Sequence, residues 1–296
     1  MCIRDSAQPG SSTSRPPIRP LGPVAAATKD SLGTITNVRA LPGGRLLVND
    51  ISARRVLLLD STLAIVKVVA DTTPGNPNAY GGGMASLIAF RGDSTLFVDA
   101  QSLSMLVIDA DGTVQRVMSV PRAQDAMMLA AGGLGAGAFY SNGHLVYRGM
   151  PNIRMNIVNG TPQMSGIPDT MAVTRVNLQT RVVDTVGFVK IPRSLPTITR
   201  TDDGKMNVSI EVNPLPVVDE WTVLPNGDVA FVRGRDYHVD WVEANGTRRS
   251  SPKMAFDWKR LTDEDKTKLV DSVKTLLDKQ AAANPGQGAA LSLIHI

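Results

Sequence analysis

Short apolar runs rich in Val, Leu and Ile recur along the chain, and most of them close on Gly, Asn, Asp or Pro. Runs of this length bounded by turn residues read as β-strands rather than helices. Four segments share a turn followed by one apolar strand: "PGGRLLVND" from Pro42, "RGDSTLFVD" from Arg91, "SNGHLVYRG" from Ser141 and "PNGDVAFVRG" from Pro225. Each is followed by a second hairpin: "VLLLDSTLAIVKVVA", "MLVIDADGTVQRVMSV", "AVTRVNLQTRVVDTVGFV" and "HVDWVEANGTRRSSPKM". The repeating unit is therefore strand, tight turn, strand, connection, strand, tight turn, strand.

Four antiparallel strands per repeat describe the blade of a β-propeller. Gly44, Asp93, Gly143 and Gly227 mark the first turn at intervals of 49, 50 and 84 residues. Asp60, Asp109, Asn177 and Glu243 close the third strand at intervals of 49, 68 and 66. The mismatch puts about 18 extra residues inside unit three and about 16 between units three and four, where a repeat tolerates insertion. The expected fold class is all-β, a partial propeller of about four blades with an amphipathic helix inserted near the C-terminus.

The tight turns carry Asn-Gly or Asp-Gly at 111–112, 142–143, 226–227 and 245–246, pairs that accept the positive φ of two-residue hairpins. "DADG" at 109 could be a calcium loop through Asp109 and Asp111, but the further oxygen ligands and distal Glu of such loops are missing. It reads as a turn. "GGLGAG" from Gly132 lacks the Lys-Ser/Thr continuation of a phosphate loop and reads as an inter-blade connection. Asn159, Asn207 and Asn245 head Asn-x-Ser/Thr triplets, which decide nothing.

One segment keeps helical period. Thr262 precedes Asp265 by three residues as a near capping box, Glu264 and Lys268 stand at i,i+4, and Leu269, Val270, Val273, Leu276 and Leu277 share one face before Asn284-Pro285-Gly286. An amphipathic helix of about 21 residues is expected, packed on the propeller wall.

The ends differ from the rest. Met1–Ser6 and Leu291–Ile296 back-translate to reverse-complementary strings, as one sequencing adapter read from both sides would give, and both hexapeptides are expected to be foreign to the fold. The expected organisation is adapter sequence at 1–6, a flexible Pro/Ser-rich lead-in at 7–32, propeller blades at 33–256, a helical insertion at 257–284, a linker at 285–290 and adapter sequence at 291–296. On this reading the chain is an internal fragment of a longer protein. The one cysteine, Cys2, then falls in foreign sequence with His295, leaving His144 and His238.

Hydrophobic residues make up 43 % of the chain and the formal net charge is +4, a weak bias without basic runs or interleaved aromatics. Nucleic acid is not an expected partner. No apolar run is long enough to be a transmembrane helix. With no natural cysteine, a disulfide framework, a Cys-based zinc site and a thiol nucleophile are excluded.

The stretches "RLLVNDISARRVLLLDSTL", "FRGDSTLFVDAQSLSMLVIDADGTVQRVMSVPR" and "VRGRDYHVDWVEANGTRRSSPKMAFDWKRLTDEDK" resemble bacterial six-bladed β-propeller proteins related to the NHL-repeat propellers, over about residues 33–280. The resemblance implies two further blades after the helix, and says little about activity.

No catalytic set is visible. His144 and His238 lie in expected strands without a nucleophile elbow, and two histidines are too few for a zinc-dependent lyase of the NHL type. A calcium-dependent lactonase would use carboxylates at the channel mouth, where Asp50 and Asp99 recur at strand ends. The densest polar and aromatic stretch is "GRDYHVDW", which sets Arg235, Asp236, Tyr237 and His238 in and beside a loop between strands. The long excursions, 150–170, 191–214 and the segment after Phe256, all fall on the edge opposite the tight turns. The expected function is an exported, periplasmic or extracellular binding module. It would engage a small ligand, glycan or protein partner at this long-loop face through Arg235, Tyr237 and His238, with Asp50 and Asp99 as further candidates and no cofactor. The alternative is a hydrolase or lyase using calcium or another divalent ion.

Overall fold

The computed structural model describes residues 19–73, 79–131, 137–150, 154–158, 161–165, 168–192, 196–200, 206–213, 215–256, 260–283 and 290–293. The opening hexapeptide, residues 7–18 of the lead-in, the glycine-rich residues 132–136, Asn159 and residues 285–289 lie outside this set, and so do the expectations made for them.

Four four-stranded antiparallel sheets follow one another along the chain as the blades of a propeller. Blade one is β1 (Ile35–Ala40), β2 (Leu46–Asp50), β3 (Arg55–Leu59) and β4 (Ile65–Ala70). Blade two is β5 (Ala85–Ala89), β6 (Thr95–Asp99), β7 (Ser104–Ile108) and β8 (Val114–Ser119), followed by a short helix α1 (Ala126–Ala130). Blade three starts with β9 (Phe139–Ser141) and β10 (His144–Arg148), makes a separate hairpin of β11 (Arg154–Val158) and β12 (Thr161–Ser165), and returns as β13 (Thr170–Asn177) and β14 (Val183–Lys190). A second hairpin, β15 (Pro196–Arg200) and β16 (Met206–Val212), precedes blade four. That blade is β17 (Glu220–Val223), β18 (Val229–Arg233), β19 (His238–Val242) and β20 (Arg248–Ser250). The two excursions read from sequence as insertions thus each form a paired hairpin.

The turns behave as their residues demand. Asn142 and Gly143 both have positive φ, 48° and 84°, the pair a two-residue hairpin requires. Gly112, Gly227 and Gly246 take φ of 68°, 92° and 92°. Asp109 closes its own turn: Oδ1 accepts the Asp111 and Thr113 backbone N–H groups at 2.9 and 2.8 Å, and Oδ2 accepts the Gln115 amide at 2.6 Å. Asp111 pairs with Arg45 of the neighbouring blade at 2.7 Å. The "DADG" segment is an Asp-stabilised turn.

Packing explains why the central strands are continuous apolar runs instead of alternating ones. Blades one and two have a neighbour or a covering segment on both faces, so both faces of β2, β3, β6 and β7 are buried. Leu47, Val56 and Leu58 of blade one meet Phe97, Leu106 and Ile108 of blade two. The other face of blade two meets Leu145 and Tyr147 of blade three, with Leu129 of α1 in the same core. Blade three packs Val146, Val173 and Val186 on Val229, Phe231 and Val242 of blade four. Leu32, just before the first strand, packs on the outer face of blade one with Val48, Leu57 and Leu59. Burying one such Leu or Phe contributes roughly 1.5–3 kcal/mol.

Helix α2 (Asp263–Ala283) is capped as its sequence suggests. The Thr262 hydroxyl accepts the Asp265 N–H at 3.1 Å while Asp265 Oδ2 accepts the Thr262 N–H at 3.0 Å. Lys268 and Glu264 pair at 2.6 Å. Its apolar stripe is only half covered, with Leu276 56 % exposed. Finally β21 (Ala290–Leu293), which includes three residues of the closing hexapeptide, lies parallel to β16.

Candidate functional site between blades three and four

Antiparallel strand order puts the second-to-third strand connections and the blade-to-blade crossings on one edge of every sheet. In blade four that edge is the turn Gly234–Tyr237. It is held by the Tyr237 N–H to the Arg233 carbonyl at 3.0 Å and the Met254 N–H to the Tyr237 carbonyl at 2.8 Å. The chain leaving β20 therefore runs back along this turn, where Phe256 stacks edge-on against Tyr237 at 4.5 Å between centroids.

At this edge a solvent-open cavity of about 710 Å³ separates blade three from blade four, within the roughly 300–1,000 Å³ of small-molecule sites. Blade three lends Thr170, Thr185, Phe188 and Lys190; blade four and its lead-in lend Asp219, Arg233, Arg235, Asp236, His238, Asp240 and Arg248. Arg235 and His238, read from sequence as binding candidates, both line it. Tyr237 stands beside it with its ring on Phe256 and is not among the lining residues.

A charged chain sets the floor. Arg233 donates from Nε to Asp240 Oδ2 at 2.7 Å, and from Nη1 to Asp219 Oδ2 at 2.9 Å and to the Phe188 carbonyl at 2.7 Å. Asp219 also accepts the Lys190 and Gly234 N–H groups at 3.0 and 3.1 Å, which ties the two blades together. Gly234 is required for this approach, because a Cβ there would lie 1.9 Å from the Val218 carbonyl oxygen.

His238 stands between two carboxylates, Nδ1 at 2.5 Å from Asp236 and Nε2 at 3.2 Å from Asp240. Carboxylates only accept, so both contacts are hydrogen bonds only when both ring nitrogens carry protons. The bond from His238, helped by Lys253 at 3.2 Å, holds the Asp236 carboxyl below the ordinary carboxylate range. Burial pushes the Asp240 carboxyl up, but hydrogen bonds from Ser250 and Arg233 outweigh it and leave Asp240 below that range as well. Because the two carboxylates face opposite sides of one imidazole, they do not converge on a common point. Among the described residues no three His, Cys, Asp or Glu side chains are placed to hold a metal ion.

The committed charges leave a remainder. Among the described residues the Lys190 ammonium and the Arg235 guanidinium have no hydrogen-bond or ion-pair partner. The lining holds four basic side chains, Lys190, Arg233, Arg235 and Arg248, against Asp219, Asp236 and Asp240, before His238 is counted. The site is cationic by one charge or more.

Asp50 and Asp99 lie elsewhere, at the ends of β2 and β6, and both are buried. Asp50 accepts the Gly33 N–H at 3.0 Å, the Ala53 N–H at 3.3 Å, Ser52 at 3.2 Å and Arg55 at 3.1 Å. Asp99 accepts the Gly81 and Gln101 N–H groups at 2.8 and 3.1 Å and the Ser102 hydroxyl at 2.8 Å. Their oxygens bind the lead-in of each blade to its second turn. The structure does not bring them together with Arg235 and His238. Sequence reasoning missed Phe188, Lys190 and Asp219, whose role depends on blade three lying against blade four.

No family model matches the chain, and no curated protein does. Several solved structures are similar to it at low identity. Virginiamycin B lyase of Staphylococcus aureus with quinupristin is 14 % identical with a TM-score of 0.34, over 76 % of this chain and 72 % of that one. A candidate exported protein of Bacteroides fragilis is 10 % identical with a TM-score of 0.35, over 77 % and 74 %. A gluconolactonase of Xanthomonas campestris is 14 % identical with a TM-score of 0.31, over 71 % and 72 %. At that level of likeness the neighbours carry no inference about ligand or reaction. The class rests on the four sheets themselves, which define a β-propeller. Among the described residues no helix is long and apolar enough to cross a membrane.

Proposed function

We propose that this propeller is a binding module for a small anionic ligand, held at its long-loop edge in the cavity between blades three and four. The observation that carries the reading is the pair of uncommitted cations, Lys190 and Arg235, beside a floor in which Arg233, Asp219, Asp240 and Asp236 are already paired. An unpaired cation in a concave site gains most from an anion that brings its own charge. On this reading Asp50 and Asp99 belong to the scaffold, Tyr237 shapes the turn that presents Arg235, and no cofactor takes part. A ring of six blades related to the NHL-repeat propellers, and export from the cell, complete the proposal; the resemblance of the blade sequences and the Pro/Ser-rich lead-in are what support them.

The test is a thermal-shift series on the purified chain with millimolar citrate, phosphate, glucuronate and glucose. A ligand that binds only the folded state raises the melting temperature in proportion to ln(1 + [L]/Kd). At least one anion should raise it in the native chain and fail to do so in the K190A/R235A variant. Indifference to every anion would overturn the reading. If stoichiometric calcium or another divalent ion were found instead, and lost on changing Asp50 or Asp99, the metal-dependent alternative would replace it.

A further inference from the structure

We infer that the anion is carried by a sugar: the cavity between blades three and four takes a hexuronate, either free or at the end of an acidic saccharide. This rests on the proposed anion site and names its ligand class.

Three features of the lining select this chemistry over other anions. The first is Phe188, which lines the cavity with 57 % of its surface exposed. It sits on β14, and its backbone carbonyl is fixed by Arg233 at 2.7 Å. An exposed aromatic face in a polar cavity suits a flat ligand with one apolar side, such as the C–H face of a pyranose ring. The second is the carboxylates. Asp236 and Asp240 reach the cavity while part of their surface stays open to solvent. They would repel a polyphosphate or tricarboxylate, but they accept hydrogen bonds from hydroxyl groups. A surplus of one or two positive charges matches one carboxylate, not several. The third is the hydroxyl of Thr185, also in the lining, which both donates and accepts and so serves a polyol equally well. A ligand with one carboxylate, several hydroxyls and an apolar face meets Lys190 and Arg235, then Asp236, Asp240 and Thr185, then Phe188. Simple inorganic anions use only the first pair.

Titration calorimetry on the full chain decides it, with glucuronate, galacturonate and a galacturonate trimer set against glucose, citrate, phosphate and an acidic peptide. The expected result is binding of the uronates and not of glucose, with affinity falling roughly tenfold or more in Phe188→Ala, the size expected when an aromatic ring no longer covers apolar area. Lys190→Ala with Arg235→Ala should abolish binding, and an unchanged far-ultraviolet spectrum and melting temperature would show that both variants fold. A trimer that binds more tightly than the monomers makes the ligand a chain end, and equal affinity makes it the free sugar. Citrate or phosphate binding as well as the uronates, with Phe188→Ala without effect, would overturn the sugar and leave the anion site standing. Preference for the acidic peptide would do the same. No binding of any anion would overturn both.

Discussion

The second strand of every blade ends at an equivalent position, and the residue found there divides the molecule in two. Blades one and two have Asp50 and Asp99; blades three and four have Arg148 and Arg233. In the first pair the carboxylate turns inward and is saturated by the backbone of its own blade: Gly33 and Ala53 for Asp50, Gly81 and Gln101 for Asp99. In blade four the carboxylate has moved to the lead-in as Asp219, and the strand end carries its cation, Arg233. The fastening survives with its charges exchanged. The difference lies in reach. An aspartate at the strand end closes on donors within its blade, whereas a guanidinium spans Asp219, Asp240 and the Phe188 carbonyl of the next blade. The exchange turns a sealed joint into the floor of an open, charged cavity.

If the joints of blades one and two are scaffold, Asp99→Ala should be far more damaging than any change at the exposed end of the site. It strips the acceptor from two backbone N–H groups and the Ser102 hydroxyl at a buried site, a loss on the order of 3 kcal/mol. Asp236→Ala, at the exposed end of the site, should leave stability nearly unchanged. Urea denaturation of the two variants side by side measures the contrast, and equal midpoints would erase it.

A second contrast concerns ligand rather than stability. Lys190→Ala and Arg235→Ala remove charges that make no internal contact, so each should leave the denaturation midpoint within about 0.5 kcal/mol of the parent. Each should nevertheless weaken anion binding roughly tenfold, the loss of one charge-assisted hydrogen bond. Asp50→Ala should show the opposite pattern. A stability loss in Lys190→Ala as large as that in Asp50→Ala would show that the proposed site residues are structural.

Acid offers a third way to separate the regions. The folded chain holds Asp240 below its ordinary value of 3.8, so the stabilisation it provides is complete above that value and is lost as pH falls through the lower folded value. Asp50 behaves likewise: burial pushes its carboxyl up, and hydrogen bonds from Gly33, Ala53, Arg55 and Ser52 outweigh that and hold it below 3.8. Melting temperature should therefore fall on acidification below about pH 4. Asp240→Asn should remove part of the acid slope without touching the Asp50 part. An unchanged slope in that variant would mean that the His238 and Arg233 contacts contribute nothing to folding.

Much of this comparison was open to reading in advance, and the unread part has a physical cause. Strand order, blade count and turn positions were legible because each depends on neighbours in sequence: the buried runs Leu57–Leu59 and Leu96–Val98, and the positive φ of Gly112, Gly143, Gly227 and Gly246. Arg235 and His238 were legible as a dense polar turn. Phe188, Lys190 and Asp219 were not, because nothing local marks an exposed Phe in β14 as part of a cavity until blade four is laid against it. The signal that could have found them was the change from Asp50 and Asp99 to Arg233 at the matched strand end of blade four, where the partner charge has moved to Asp219. The hairpins β11–β12 and β15–β16 were read only as extra length, since their segments lack the apolar runs that mark the blade strands.

The smallest expected effect tests the comparison at the turn itself. Arg54, Leu103 and Tyr237 occupy the same place in the second-to-third turns of blades one, two and four, all with left-handed φ, 47°, 55° and 50°. An L-residue held there is strained by roughly 1–2 kcal/mol, which glycine does not carry. Leu103 is 41 % exposed, so Leu103→Gly gives up little buried area and should raise stability by about 0.5 kcal/mol once the greater freedom of unfolded glycine is subtracted. Tyr237 has the same backbone but a different neighbour, because its ring meets Phe256 at 4.5 Å and that contact holds the departing chain over the turn. An aromatic pair contributes about 0.5–1.5 kcal/mol beyond its area, so Tyr237→Gly should gain nothing or lose slightly. It should also weaken anion binding by a few-fold, because Arg235 would sit on a less constrained turn. If both glycine variants were stabilised equally, with binding intact, the turn of blade four would be an ordinary repeat of the turn in blade two, and the cavity would owe its shape to blade three alone.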